Sequence, residues 1–391
     1  MTRYVIVGNG VAGTSAAEEI RKQDHQGSID IFSIEDKSFY YRIRLPEVVA
    51  GDIQEDTIVA KSLNWYKDQG MNLHLETQVT AIDAEKKSLV TEDGQEFIYD
   101  RLLLATGSHS FIPPIQGSDK PGVFALRTMQ DVREIRKWAQ GSEDAVLIGG
   151  GLLGLEAGNG LRKLGKKVTV VEVFPRLLPR QLDTKGASRL QSMLEDMGFR
   201  FCLGAKTTSI EGEHAADKVT LDDGTSLPPD LILVSAGVRP NLELAQQLNL
   251  DLDKGIKVNE YLQTSRPDIY AAGDVTEFQG RVYGIWPAAQ EQGGLAGRNM
   301  TGNGQLQPYQ GTVMANTLKV VGIELASAGE IDAEGRYEAR IKEDDSCYRK
   351  IVLDGQSIIG CIMLGDTRGF QKVTQLMQKG ADASDVLDSL L

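Results

Sequence analysis

Apolar positions along this chain fall into short runs of four or five residues, and several of the runs stop at glycine. Tyr4–Val7 runs into Gly8, and Ala145–Ile148 runs into Gly149. Arg101–Ala105 closes on Thr106-Gly107, and the run after Asp230 closes on Ala236-Gly237. Runs this short, rich in Val, Ile and Leu, predict buried strands and leave no room for helices. Behind two of them the period changes. Val11–Lys22 carries Ala12, Ala16 and Ala17, small enough for close packing on a sheet, and a second helix is predicted from Gly154 through Leu164. Each helix gives way to another apolar strand, Ile29–Ile34 and Val168–Val171. Each of those strands ends at an acid, Glu35 and Glu172. Strand, glycine turn, helix and strand in that order predict βαβ units on parallel sheets.

The glycine spacing is Gly8-x-Gly10-x-x-Gly13 in one half and Gly149-x-Gly151-x-x-Gly154 in the other. The first glycine permits a tight turn, the second lets the backbone approach a pyrophosphate, and the third lets helix and strand pack closely. The helix N-terminus then offers unpaired N–H groups and a positive dipole end to phosphates. Glu35 follows Gly13 by 22 residues and Glu172 follows Gly154 by 18, where a carboxylate accepts from ribose hydroxyls. The repeat extends further: Val90–Gly94 (VTEDG) parallels Val219–Gly224 (VTLDDG), and Asp100–Gly107 (DRLLLATG) parallels Asp230–Gly237 (DLILVSAG). A repeat of this extent predicts two bound dinucleotides, one per half. Two sites in one chain suggest a resident flavin dinucleotide and an exchangeable nicotinamide dinucleotide, with hydride passing from the second to the first. Glu172 would repel a 2′-phosphate and favour NADH over NADPH, while Arg176 and Arg180 close behind it could pair with that phosphate.

The remaining segments fill in around this frame. Asn72–Ile82, Ser88–Thr91 and Glu96–Tyr99 read as strands, with a hairpin turn at Asp93-Gly94. Pro113-Pro114 marks a connection between domains. Thr264–Val275 (TSRPDIYAAGDV) is a strand ending in Gly273-Asp274, where a carboxylate could hold a ribityl hydroxyl. Pro287 suits the first turn of a following helix, and Trp286 could border the flavin ring. Between Glu35 and Gly51, Arg42 and Arg44 follow three aromatic residues, and either could reach a pyrophosphate. From about Gln310 a small α+β domain is predicted, with strands at Val313–Val321, Tyr337–Ile341, Tyr348–Val352 and Ile358–Leu364 and helices at Phe370–Lys379 and Ala381–Leu390.

Composition narrows the possibilities. The 391 residues carry a net charge of −13, which argues against nucleic acid or an anionic membrane surface as partner. No apolar run approaches the ~20 residues that span a bilayer. With the first strand at Tyr4 no leader is expected, and the chain is expected in the cytoplasm. The cysteines, Cys202, Cys347 and Cys361, have no metal spacing. Cys347 and Cys361 straddle the Asp354-Gly355 turn and would face each other in one hairpin register, though reduced thiols are expected. The four histidines are scattered and read as surface or loop residues.

Taken together, the two glycine fingerprints, the Ala105-Thr106-Gly107 turn, Ala271–Val275 (AAGDV) and the C-terminal segment resemble the flavin-dependent pyridine nucleotide–disulfide oxidoreductases along the whole chain. Tyr40–Gly51 is similar to the segment found in NADH:rubredoxin reductases and in the flavin part of NADH-dependent nitrite reductases. The resemblance implies two Rossmann-like three-layer domains, parallel sheets with β-meanders, and a small α+β domain. The FAD domain would be residues 1–112 with 238–309, the NADH domain 113–237, and the C-terminal domain 310–391. Implied FAD contacts are Gly8, Gly10, Gly13, Glu35, Arg42, Thr106, Gly107, Arg127, Gly273, Asp274 and Ala289, with Val11, Ala12, Val79, Ala105 and Trp286 as further candidates. Implied NADH contacts are Gly149, Gly151, Leu153, Gly154, Glu172 and Gly237, with Leu152 beside them. Glu156 is similar to a family carboxylate near the nicotinamide and is the candidate catalytic residue.

The departures from the family pattern shape the expected activity. Relatives carry Cys-x4-Cys or a single Cys after the first acid, whereas Phe39–Leu45 holds none. A thiol beside the flavin is therefore not expected as a second redox centre. Where some relatives place a Lys that pairs with the carboxylate matching Glu156, Glu47 stands instead. The expected activity is hydride transfer from NADH to FAD and then electron transfer to a small rubredoxin-like carrier protein, by a monomer or homodimer. A carrier of acidic character would need a basic patch, for which Arg42 and Arg44, or Arg340 and Lys342 with Arg349-Lys350, are candidates. The alternatives are an NADH oxidase that reduces oxygen directly, and a redox-responsive binding protein similar to apoptosis-inducing factor.

Overall fold

The computed structural model describes residues 1–391 except 303, 321, 333, 384–386 and 391, and leaves aside the side chains of 315–320, 388 and 389. The chain divides into two units. One comprises Met1–Arg44, Gln54–His109 and Val238–Thr312; the other comprises Leu45–Ile53, Ser110–Gly237 and Val313–Leu391.

The first unit is built on a five-stranded parallel sheet in the order Ile269–Ala271, Arg101–Leu104, Arg3–Val7, Ser28–Phe32, Asn72–His74. Side chains alternate across it as strand geometry requires. Tyr4 and Ile6 pack with Ile29, Ile31 and Leu103 under the helices, whereas Val5 and Val7 pack with Leu102, Leu104, Val79 and Leu89 on the opposite face. The helices on the first face are Val11–Gln23 and Trp286–Thr301. Their backbones nearly touch: a Cβ on Gly293 would lie 2.2 Å from the Ala12 carbonyl oxygen, and one on Gly297 would lie 2.4 Å from that of Ala16. The other face is covered by the antiparallel meander Val79–Asp83, Ser88–Thr91, Glu96–Ile98.

The second unit repeats the plan. Its parallel sheet runs Arg200–Leu203, Lys167–Glu172, Asp144–Ile148, Leu231–Val234, Val123–Ala125, and its meander is Thr207–Glu211, Lys218–Leu221, Ser226–Leu227. Both meanders shift register near the start of the first strand, between Val79 and Ala81 and between Thr207 and Ser209. The expected pair of Rossmann-like layers with meanders is what folds.

Also in the second unit is an antiparallel sheet ordered Ala315–Val320, Ile323–Gly329, Ser357–Leu364, Tyr348–Asp354, Glu338–Glu343. The helix Phe370–Lys379 packs on it through Phe370 and Val373 against Ala326, Ile351 and Cys361. Val321, at the end of one expected strand, lies outside the described residues, as do 384–386 within the expected helix Ala381–Leu390, of which Leu387–Leu390 is helical. Two sequence readings are corrected. The strand expected over Asn72–Ile82 is broken into Asn72–His74 and Val79–Asp83, with Glu76 at φ +49° between them. Cys347 and Cys361 do not face each other: Cys361 is opposite Ile351, Tyr348 is opposite Leu364, and all three cysteines are free.

Candidate functional site

In the first unit the turn after Arg3–Val7 is fixed by hydrogen bonds and by lack of room. Gly8 donates to the Phe32 carbonyl at 2.9 Å and has φ +113°. A Cβ there would fall 2.1 Å from the Ala105 carbonyl oxygen, and one on Gly13 would fall 1.9 Å from that of Gly8. The protein itself demands those two glycines. Gly10 is different. Its backbone is extended (φ −85°, ψ −164°), and no protein atom lies within 4 Å of where its Cβ would be. No neighbouring residue fills the space above Gly10, which leaves its backbone open to the approach of a phosphate. The helix behind it has no side-chain cap and no acid in its first turn, leaving donor N–H groups for an anion.

A cavity opens beside this loop, lined by Asn9, Gly10, Val11, Ser33, Glu35, Lys37, Ser38, Phe39, Tyr40, Arg42 and Trp286. Glu35 accepts from Tyr40 Oη at 2.5 Å and from an Arg42 terminal nitrogen at 2.6 Å. Of the two arginines left open by the sequence, Arg42 is the one that lines the cavity. Burial works against its charge, but Tyr40, Glu35 and Asp274 outweigh that and raise its pKa. Asp274 accepts from Ser108 Oγ at 2.7 Å. Thr106 Oγ1 donates to the Asn241 carbonyl and the Asn241 amide donates back to the Thr106 carbonyl, fixing the turn that contains Gly107. Gly273, at φ +87°, faces Ala12, and its N–H donates to Gln292 Oε1 at 2.9 Å. Trp286 packs against Phe39 and Tyr41 with its ring tilted by 32° to each, at centroid distances of 5.8 and 5.5 Å. Ala289 is buried on the same helix, and Val79 is buried in the meander. Arg127, grouped with the FAD set on resemblance, belongs to the second unit, where its backbone N–H donates to Asp131.

The sequence reading missed Asn9. It lies between the first two glycines, its Oδ1 accepts from Tyr66 Oη at 2.9 Å, and its Nδ2 is buried without a partner. A polar residue between the glycines was the available signal. An unsatisfied buried donor on the cavity wall fits a ligand that supplies an acceptor.

The second unit repeats this construction. Gly149 has φ +113°, and its Cβ would be 2.3 Å from the Ser235 carbonyl oxygen; a Cβ on Gly154 would be 2.6 Å from that of Gly149. Gly151 again is extended (φ −76°, ψ 172°) with nothing within 4 Å, and it precedes the uncapped helix Leu152–Lys163. Glu172 is 7% exposed; one of its oxygens accepts from Gly150 N at 2.7 Å and the other from Phe174 N at 2.9 Å. It therefore ties the glycine loop to the strand end as well as offering lone pairs to a ligand. Leu153, Val173 and Phe174 are exposed apolar residues on these segments. Gly237, at φ +100°, accepts at its carbonyl from Phe111 N. Arg176 donates to the carbonyls of Pro179 and Leu182. Glu156 is half-buried on the helix after the loop; burial first, then the negative charge of Glu47, pushes its pKa up to about 7.

Of the basic patch considered around Arg340 and Lys342 with Arg349-Lys350, the first two are exposed and the last two are not. Arg349 and Lys350 are 7% and 5% exposed. Arg349 pairs with Asp366 at 2.8 Å and Lys350 with Asp183 at 3.3 Å. The strand Tyr348–Asp354 is covered on both faces, so neighbouring charges that read as a solvated run are drawn inward to acids. All three cysteines are free and belong to the second unit. Among the described residues no helix is long and apolar enough to cross a membrane, and no group of three or more His, Cys, Asp or Glu could hold a metal ion.

A βαβ glycine loop with an acid at or just after the end of its second strand, present once in each unit, marks a dinucleotide-dependent oxidoreductase fold, and the comparisons agree. Residues 2–293 match the pyridine nucleotide-disulphide oxidoreductase family, and residues 315–381 match the rubredoxin NAD+ reductase C-terminal domain. The chain belongs to the pyridine nucleotide-disulphide oxidoreductase family, whose members use FAD and NADH. It is similar to the nitrite reductase [NAD(P)H] of Bacillus subtilis, 38% identical over 389 residues, covering 98% of this chain and 48% of that one. It is 37% identical over 316 residues to the NADH oxidase of Methanocaldococcus jannaschii, covering 77% of this chain and 70% of that one. The solved NADH:rubredoxin oxidoreductase of Clostridium acetobutylicum superposes with a TM-score of 0.81 at 26% identity, over 100% of this chain and 98% of that one. The chain spans about half the length of the nitrite reductase it resembles.

Proposed function

We propose that the chain is an NADH-dependent flavoprotein reductase that passes electrons to a small carrier protein of the rubredoxin type. In this reading the first unit holds FAD at Gly8–Gly13, Glu35, Arg42 and Gly273-Asp274, and the second holds NADH at Gly149–Gly154 and Glu172. The division into FAD, NADH and C-terminal domains expected from sequence is kept as part of the proposal. Bound FAD supplies an acceptor for hydride and a store from which electrons leave singly. The chain's own part is to bind and orient. The open helix N-termini and glycine loops take the phosphates. Glu35 and Glu172 take ribose hydroxyls with the lone pairs their present partners leave. Arg42 sets a fixed positive charge by the first loop. Arg176 already serves carbonyls of its own loop, which supports NADH over NADPH.

The observation that carries the reading is the matched pair Gly10 and Gly151, glycines that no neighbour in the chain requires. The match of residues 315–381 to the rubredoxin NAD+ reductase C-terminal domain supports the choice of carrier. The test is the absorbance spectrum of the purified protein together with steady-state NADH oxidation against oxygen, ferricyanide, quinone, disulfides and rubredoxin. A yellow protein that is fastest with rubredoxin is expected. A colourless protein that takes up no FAD would end the proposal. The similarity to an NADH oxidase favours a second reading, direct reduction of oxygen, which oxygen uptake matching NADH turnover without any carrier would establish.

A further inference from the structure

The segment between Glu172 and the helix Thr184–Asp196 is held at both ends. At the near end, Leu177 packs on the glycine loop: a Cβ on Gly150 would be 2.8 Å from Leu177 Cδ2 and 3.2 Å from Glu172 Cβ. In the middle the segment closes on itself. The Gln181 and Leu182 N–H groups donate to the Leu178 carbonyl, Leu178 has φ +48°, and Leu177, Leu178 and Leu182 are buried. At the far end stands Asp183. One of its oxygens caps the helix by accepting from Gly186 N at 2.9 Å. Its other oxygen accepts from Tyr348 Oη at 2.7 Å and from Lys350 Nζ at 3.3 Å.

Tyr348 and Lys350 come from the C-terminal sheet, two residues apart on one face of the strand Tyr348–Asp354. Lys350 also donates to the Asp332 carbonyl at 2.8 Å. Asp183 and Lys350 are 10% and 6% exposed at their side chains, so this is an ion pair out of water. A pair of this kind adds little net stability over apolar packing, but it fixes geometry, because removing one partner leaves the other buried and uncompensated. Tyr348 reaches the same segment by packing as well: a Cβ on Gly186 would meet Leu182 Cδ2 at 3.2 Å and Tyr348 Cε1 at 3.4 Å. The segment is thus held at its far end by Asp183 and Tyr348 and at its near end beside Gly150, whose N–H donates to Glu172.

We propose that Tyr348 and Lys350 are positioning residues for the dinucleotide, with Asp183 as the joint through which the C-terminal sheet holds the adenosine side of the second glycine loop in its binding shape. This rests on the reading that the second unit binds NADH. It gives residues 313–391 a role in nicotinamide dinucleotide affinity that does not depend on which carrier takes the electrons.

Tyr348→Phe is the test variant, since it removes one hydroxyl and keeps the ring. The FAD-loaded protein is titrated with NAD+ by calorimetry, and NADH oxidation is measured with ferricyanide. The expected result is an NAD+ Kd and an NADH KM raised about tenfold, with kcat and FAD content unchanged. Amide exchange over residues 173–182 should also quicken. Lys350→Met should act in the same direction. Lys185→Gln, which removes the exposed Lys185–Glu343 pair of the same interface, should leave Kd alone. Unchanged Kd and KM in Tyr348→Phe, with or without a lower melting temperature, would reduce the network to scaffolding and overturn the proposal. So would lost FAD or a fall in kcat alone. If the parent protein itself binds no NAD+, the functional reading fails first, and this inference falls with it.

Discussion

Gly10 and Gly151 give a sharp way to separate what the fold needs from what a ligand needs. An alanine at either position adds one methyl group to extended backbone that any residue adopts, with no protein atom within 4 Å. Replacing glycine where the native conformation is compatible should stabilise the free protein by about 0.4–1 kcal/mol, by narrowing the unfolded ensemble. The same methyl lies where the backbone is expected to approach a pyrophosphate, and overpacking of that kind costs about 1–3 kcal/mol. That corresponds to a loss of affinity of roughly 5- to 150-fold. Gly10→Ala should therefore unfold at the parent's temperature or slightly above it once flavin is stripped, yet retain little FAD after gel filtration. Gly151→Ala should keep its FAD and bind NAD+ weakly by calorimetry. Gly8→Ala and Gly13→Ala are the controls. Their methyl groups would lie 2.1 and 1.9 Å from carbonyl oxygens, so those variants should lose stability whether or not ligand is present. Parent-like FAD retention in Gly10→Ala would refute the assignment of the first loop.

Three further outcomes follow from other parts of the molecule. Glu172→Ala should raise the KM for NADH more than that for NADPH, and it should also loosen the loop by freeing Gly150 N; an unchanged cofactor preference would show that the ribose pocket lies elsewhere. Glu156, raised to about 7 from an ordinary 4.5, keeps a proton in the folded protein that the unfolded chain loses. The folded state thus binds more protons between those values, so stability should fall as pH rises from about 4.5 to about 7 and level off above. Glu156→Gln should flatten that window in pH-dependent denaturant melts and gain on the order of 2 kcal/mol at pH 8, discounting for the part of the side chain left in water. Gly297→Ala forces a methyl into the Ala16 backbone and should cost about 1–3 kcal/mol of thermal stability, read as a lower melting temperature.

The doubled plan was legible because glycine spacing, apolar run length and terminal acids are all local signals. Tyr4 and Ile6 alternate with Val5 and Val7 as a strand buried on both faces must, and the helix Phe370–Lys379 begins and ends where its period does. What stayed hidden depends on residues far apart in the chain. Arg349-Lys350 reads as a surface charge run until Asp183, 167 residues away from Lys350, is seen to receive it. Ile323–Gly329 was not read as a strand because its small residues (IELASAG) carry little apolar signal, although Leu325 and Ala326 are fully buried between neighbouring strands. Glu172 was legible as an acid at a strand end, but not as the acceptor that ties down Gly150. That contact depends on the shape of the turn between them.

The excursion of Leu45–Ile53 into the second unit has a consequence for how this protein can be taken apart. The polypeptide changes unit after residues 44, 53, 109, 237 and 312. No uninterrupted stretch of sequence therefore holds one whole unit without pieces of the other. A protease cut at any one crossing frees neither, and a gene fragment encoding one half must omit pieces of it or carry pieces of the other. On the ribosome the first unit must wait for Ile269–Ala271 before its sheet has its fifth strand.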